Sequence, residues 1–111
     1  MATRTSLRGT YKNGAYTPVQ IQGFAEAAVQ GQVCHFAGRS AVALTDSAAG
    51  ESVSFGFGGE WQFAAADLSG AVPGGPVYDD GDGVLSVTAG TDPAVGIVTS
   101  ADAEIATVFL Y

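Results

Sequence analysis

The chain has 111 residues, of which 14% are charged and 16 are glycine. That size allows one domain with one modest core, burying roughly 60 to 70% of the surface its unfolded form exposes, and leaves no room for a two-domain enzyme with a cleft. The formal charge of −7 divides unevenly. Arg4, Arg8 and Lys12 give the first twelve residues +3, and everything after them holds Arg39 alone against all eleven carboxylates. An acidic body with so few cations repels a phosphate backbone, so nucleic acid is not an expected partner. No run of 18 apolar residues exists to span a membrane. The first eight residues hold no apolar stretch suited to a signal peptide, so synthesis in the cytoplasm is expected. A lone cysteine, Cys34, excludes an intrachain disulfide framework.

Residues 1–18 show no apolar periodicity and mix Thr, Ser, Gly, Asn and Pro with Tyr11 and Tyr16, which predicts an extended N-terminal arm rather than a packed element. Residues 19–111 then read as a mainly β domain, a small single-domain β-sandwich or barrel-like body with at most one or two short helical turns. The expected strands, in chain order, are 19–24, 32–36, 40–44, 52–57, 60–63, 76–78, 84–87, 94–98 and 105–111. Between them Gly, Pro, Asp and Ser recur at intervals of about ten residues. One helical turn is expected at 64–68. Val72-Pro73-Gly74-Gly75 suits a type II turn, because Pro presets φ at the second position and Gly accepts a positive φ at the third. Residues 79–83, Asp-Asp-Gly-Asp-Gly, read as a hairpin loop.

Parity sharpens two of these segments. Val53, Phe55, Phe57, Trp61 and Phe63 all occupy odd positions. A two-residue turn at Gly58-Gly59 would send Trp61 and Phe63 to the face opposite Phe55, so the expectation is a hairpin of 53–57 and 60–63 with an odd-length loop, which opposes Phe57 to Trp61 and Phe55 to Phe63 and collects every large ring on one face. In the last strand Ile105, Phe109 and Tyr111 point one way and Ala106, Val108 and Leu110 the other. Both faces are apolar, so this strand is either central or covered by another subunit; Val108, Leu110 and Tyr111 are the candidates for a subunit interface. There is also a weak internal echo between residues 31–51 and 75–104, which suggests two similar β units folded against each other.

Few residue constellations suit chemistry. Cys34 and His35 are adjacent, and neighbours in a strand point to opposite faces, so they do not form a thiolate–imidazole pair. One Cys and one His cannot close a zinc site. Asp79, Asp80 and Asp82 read either as a weak cation site or as a solvated turn, without the downstream bidentate Glu of a calcium loop. Phe55-Gly56-Phe57-Gly58-Gly59 lacks the spacing of a phosphate-binding loop, and the only lysine, Lys12, lies in no P-loop motif. The expectation is a chain with no catalytic residue, no metal and no cofactor. Its neutral, Ala- and Gly-rich exterior is cheap to desolvate, which suits lasting contact with other subunits.

Three stretches carry a family resemblance: Gly31-Gln32-Val33 with Ala41-Val42-Ala43-Leu44-Thr45-Asp46-Ser47-Ala48-Ala49-Gly50-Glu51, then Pro73-Gly74-Gly75-Pro76-Val77-Tyr78-Asp79-Asp80, then Asp92-Pro93-Ala94-Val95-Gly96-Ile97-Val98. In order and in chain length they resemble the small head-decoration, or capsid cement, proteins of tailed bacteriophages. The resemblance spans residues 31–111. It implies a β-rich domain on the outer capsid surface of the virion, commonly a homotrimer, that binds the major capsid protein, reinforces the expanded head, and has an N-terminal arm that orders on the shell. Arg4, Arg8, Tyr11, Lys12 and Tyr16 are the expected arm contacts, with main-chain β-augmentation as their physical basis. The alternative is a carbohydrate-binding β-sandwich with an exposed Trp61 and nearby tyrosines as its platform.

Overall fold

The computed structural model describes residues 9–81, 83–90 and 92–111. Ten strands lie along the chain: β1 (Thr10–Asn13), β2 (Thr17–Ile21), β3 (Val33–Phe36), β4 (Arg39–Ala43), β5 (Val53–Phe57), β6 (Glu60–Ala64), β7 (Pro76–Asp79), β8 (Leu85–Ser86), β9 (Gly96–Ala101) and β10 (Ile105–Leu110). A single 3-10 turn, Ala65–Asp67, follows β6. The fold is mainly β, and all nine strands expected from the sequence are present with small shifts at their ends.

The strands form two antiparallel sheets, one of six strands in the order β1-β6-β10-β9-β7-β8 and one of four in the order β2-β5-β4-β3. Alternation sorts the side chains into two cores. Trp61, Phe63, Val77, Val98, Ala106, Val108 and Leu110 of the larger sheet meet Val33 and Val42 of the smaller one in the space between the sheets. The opposite parity of the smaller sheet, Cys34, Ala41, Ala43, Val53 and Phe55, faces outward, where Ala28 joins the cluster and Ile21, Phe24, Phe36 and Phe57 pack against it. Fully burying each such aliphatic or aromatic side chain contributes roughly 1.5 to 3 kcal/mol.

Two expectations from the sequence need correction. β5 and β6 do not form a hairpin: they belong to different sheets. Gly58 and Gly59, both at φ above +80°, carry the chain round the corner in a left-handed conformation that other residues resist. The rings are therefore split between two clusters, with Phe55 in the outer one and Trp61 and Phe63 in the inner one. Gly56 makes room for this, since a Cβ on it would lie 3.0 Å from the Trp61 ring. The second correction concerns the arm. Its described part, residues 9–18, contributes β1, paired with β6 through Tyr11↔Trp61, and the start of β2, paired with β5 through Thr17↔Phe57. The segment lacks apolar periodicity because both strands sit at sheet edges, where register rests on main-chain pairing more than on a buried row.

The two turns read from sequence form. Gly75 N–H donates to the Val72 carbonyl at 2.9 Å with Gly74 at φ +83°, and β7 and β8 pair across residues 80–84 through Asp79↔Leu85. The segments of the internal echo also form antiparallel pairs, β3 with β4 in one sheet and β7 with β9 in the other.

Candidate functional site

Three features of the described residues bear on function. The first is a half-open recess of about 410 Å³ where the N-terminal edge crosses the seam between the sheets. Tyr11, Tyr16 and Trp61 wall one side, with ring centroids 5.0 to 5.6 Å apart, and Gln30, Gly31 and Leu44 line the rest. Edge-on and tilted contacts of this kind favour the aromatic quadrupoles. Tyr11 stays exposed and its hydroxyl donates to the Gly14 carbonyl at 2.7 Å. Trp61 is only 2% exposed and its Nε1–H donates to the Gly58 carbonyl at 2.7 Å. A sugar stacks on an open ring face, which Trp61 does not offer, so the exposed indole that the carbohydrate alternative requires is absent. Lys12 is exposed on β1. Arg4 and Arg8 lie outside the described residues.

The second feature is a buried polar junction between the sheets. Asp79, at the end of β7, is 3% exposed. Its carboxylate accepts hydrogen bonds from Ser40 Oγ at 2.6 Å and from the amides of Gly81 at 2.8 Å and Gly83 at 3.0 Å. His35 Nδ1 stands 3.4 Å from it. A Cβ on Gly83 would overlap the Val33 carbonyl oxygen, so this loop packs directly on the β3 backbone. The residue read as part of a solvated turn or cation site is instead an interior acceptor that ties β7 to β4. Ser40, His35 and Asp79 are the three residue types of a hydrolase triad, but Ser40 is fully buried and donates to the carboxylate rather than to an imidazole base. Among the described residues no group of three His, Cys, Asp or Glu side chains is placed to hold a metal ion. Cys34 points away from His35, as alternation requires, and burial, reinforced by Glu26 and Asp79, pushes its thiol up to about 12.

The third feature is the outer face of the six-stranded sheet. β10 lies between β6 and β9 and has the parity read from sequence. Val108 and Leu110 are fully buried in the core of this chain, which corrects their assignment to a subunit interface; their side chains are spent on the inter-sheet contact. Tyr111 keeps 46% of its surface exposed, beside Phe109 at 40% and Ile105 at 38%. Ile97, the partner of Phe109 on β9, joins them at 37%. Phe109 and Tyr111 meet edge to face at 6.2 Å. The sequence held the signal for this row in the two-sided apolar character of its last strand. Ile97 was missed because its registration against Phe109 is set by pairing between strands.

No family model and no curated protein sequence matches the chain.

Proposed function

We propose that the protein is a non-enzymatic capsid decoration protein of a tailed bacteriophage. It binds the outside of the expanded head through the major capsid protein, forms a homotrimer there, and stabilises the shell after synthesis in the host cytoplasm. The observation that carries this reading is the bare apolar row Ile97, Ile105, Phe109 and Tyr111 on an otherwise weakly charged sheet face. An apolar centre with a polar rim is the anatomy of a lasting protein contact. The motif resemblance over residues 31–111 gives the reading its phage context.

The arm has a place in this picture. Arg4 and Arg8 precede Gly9, whose amide donates to the Gly31 carbonyl at 2.6 Å beside edge strand β1. Fixing eight residues costs on the order of 8 to 16 kcal/mol of backbone entropy. Main-chain pairing with a capsid strand offsets this cost, and three arms per trimer turn weak single contacts into high occupancy.

The test removes residues 1–8 only, because a longer deletion takes away β1 and β2. Purified expanded heads are mixed with the full chain or the truncated chain and sedimented. The full chain is expected to coat the heads, and the truncated chain to fold normally but coat them at least tenfold more weakly. A full chain that stays in the supernatant rejects the reading. Equal coating by both chains rejects the arm mechanism.

A further inference from the structure

We infer that the recess beside β1 receives an arginine side chain of a partner protein. Tyr11, 46% exposed, and half-buried Tyr16 present ring surface to it, while Trp61 behind them is buried and holds both rings in edge-on and tilted contact at 5.5 to 5.6 Å. The volume of about 410 Å³ falls low in the range that takes small organic groups, roughly 300 to 1,000 Å³. β1 is the end strand of its sheet, so alternate main-chain carbonyls at this rim lack a ladder partner.

Charge selects the occupant. The cationic side chains among the described residues are Lys12, which is not part of the lining, and Arg39, which is engaged elsewhere. Asp46 supplies the opposite sign: its Oδ1 accepts from the amide of Gln30, a lining residue, at 2.7 Å, which fixes an exposed carboxylate beside the recess. Ring faces next to a carboxylate attract a cation through the aromatic quadrupole and the full charge together. The formal charge of −7 draws cations toward the body and turns anionic groups away. An apolar side chain matches the rings but offers nothing to Asp46 or to the carbonyls of the rim.

The chain uses the same chemistry at another place. Arg39 lies over the Phe57 ring at 5.1 Å while its Nε and Nη2 donate to the Tyr111 carbonyl at 3.2 and 3.0 Å. A planar guanidinium serves a ring face and main-chain oxygens at once, whereas an ammonium is a compact, strongly hydrated point charge. Arginine therefore fits the recess better than lysine. That the arginine belongs to the major capsid protein rests on the proposed function; the chemistry of the recess does not.

The test titrates the peptide acetyl-Gly-Arg-Gly-amide into the isotope-labelled full chain, without heads, to about 20 mM, a range suited to a single side chain. Amide resonance shifts are expected to be largest at Thr10, Tyr11, Gln30 and Gly31. The same peptide with citrulline, equal in shape but uncharged, is expected to bind roughly threefold more weakly or worse. Tyr11→Ala removes an exposed ring, and Asp46→Asn keeps an acceptor for the Gln30 amide while removing the charge. Each is expected to weaken binding by about twofold or more, in a variant whose spectrum is otherwise unchanged. Absence of shifts in the recess at about 20 mM overturns the inference. Equal binding of the citrulline peptide overturns it too, as does full affinity in both variants. The two readings separate cleanly. A chain that binds the peptide but never coats expanded heads keeps the arginine site and loses the decoration function, whereas a chain that coats heads yet shows no shifts in the recess does the reverse.

Discussion

The two sheets of this sandwich each present an apolar row away from the space between them, and the chain treats the two rows differently. On the four-stranded sheet, Cys34, Ala41, Ala43, Val53 and Phe55 are almost completely buried beneath Phe24, Ala28 and Phe36, and only at the edge does Val19, the partner of Phe55 on β2, keep 40% of its surface exposed. On the six-stranded sheet, Ile97, Ile105, Phe109 and Tyr111 remain 37 to 46% exposed. Residues with the same hydropathy thus serve folding in one place and stay available for association in the other. Apolar content does not tell them apart; the path of the connecting segments does.

Substitution at the centre of each row gives the largest contrast. Phe55→Ala is expected to cost about 3 to 5 kcal/mol in urea unfolding, because it leaves a cavity under the two rings packed on it, Phe24 and Phe36. Phe109→Ala is expected to cost under about 1 kcal/mol in the dissociated chain, since its side chain is already partly in water. Comparable losses at the two positions would erase the distinction between the faces.

Asp79→Ala comes next, at about 2 to 4 kcal/mol, because it strands the buried Ser40 hydroxyl and the Gly83 amide. Hydrogen exchange should then rise first in residues 80–84, where the loop loses its anchor. A uniform rise across both sheets would show that Asp79 is no specific tie between them.

Cys34 reports on the covered row without substitution. Its thiol should resist a disulfide reagent at pH 8 in the folded protein and react promptly once the chain is unfolded. The sign of the pH effect follows from its raised pKa. The unfolded chain loses the thiol proton near the ordinary value of 9.0, whereas the folded chain holds it to about 12. This contribution to stability is therefore present below pH 9 and declines as pH rises toward 12. Fast labelling of the native protein would show that the cover over this row opens readily.

Asp102 gives the smallest effect. Its exposed carboxylate accepts from the amides of Ile105 and Glu104 at 2.8 Å, which holds it below the ordinary 3.8. That support for the β9–β10 turn exists at neutral pH and fades as pH falls through the lowered value. Asp102→Ala should leave the unfolding midpoint almost unchanged while loosening amide protection at Glu104 and Ile105. A large global loss would mean that the turn holds the exposed row in place.

Most of the strands were legible because turn chemistry punctuates them. Pro73-Gly74 and the Asp-Gly run after Tyr78 each require a reversal whatever lies around them, and the alternation in 105–111 correctly put Val108 and Phe109 on opposite faces, though it did not say which face is buried. β1 was illegible because an edge strand needs only main-chain partners. The role of Asp79 was hidden as well: in sequence it sits among Asp80, Gly81 and Asp82 like any solvated turn residue, and only the approach of β4 brings Ser40 to it.

The sequence by itself determined the β class, the turn positions, the alternation within each strand and the separation of charge between the first twelve residues and the rest. These follow from local backbone preference and from a side-chain period of two, which need no knowledge of distant neighbours. Tertiary structure alone decided that Gly58 and Gly59 lead from one sheet to the other, that Val108 and Leu110 face inward while Phe109 and Ile97 share the open side, and that the centre of one outer row is covered while Phe109 and Ile97 of its counterpart stay exposed. Each of these depends on which strands become neighbours and where the connecting loops come to rest, and that is settled by packing between residues far apart in the chain.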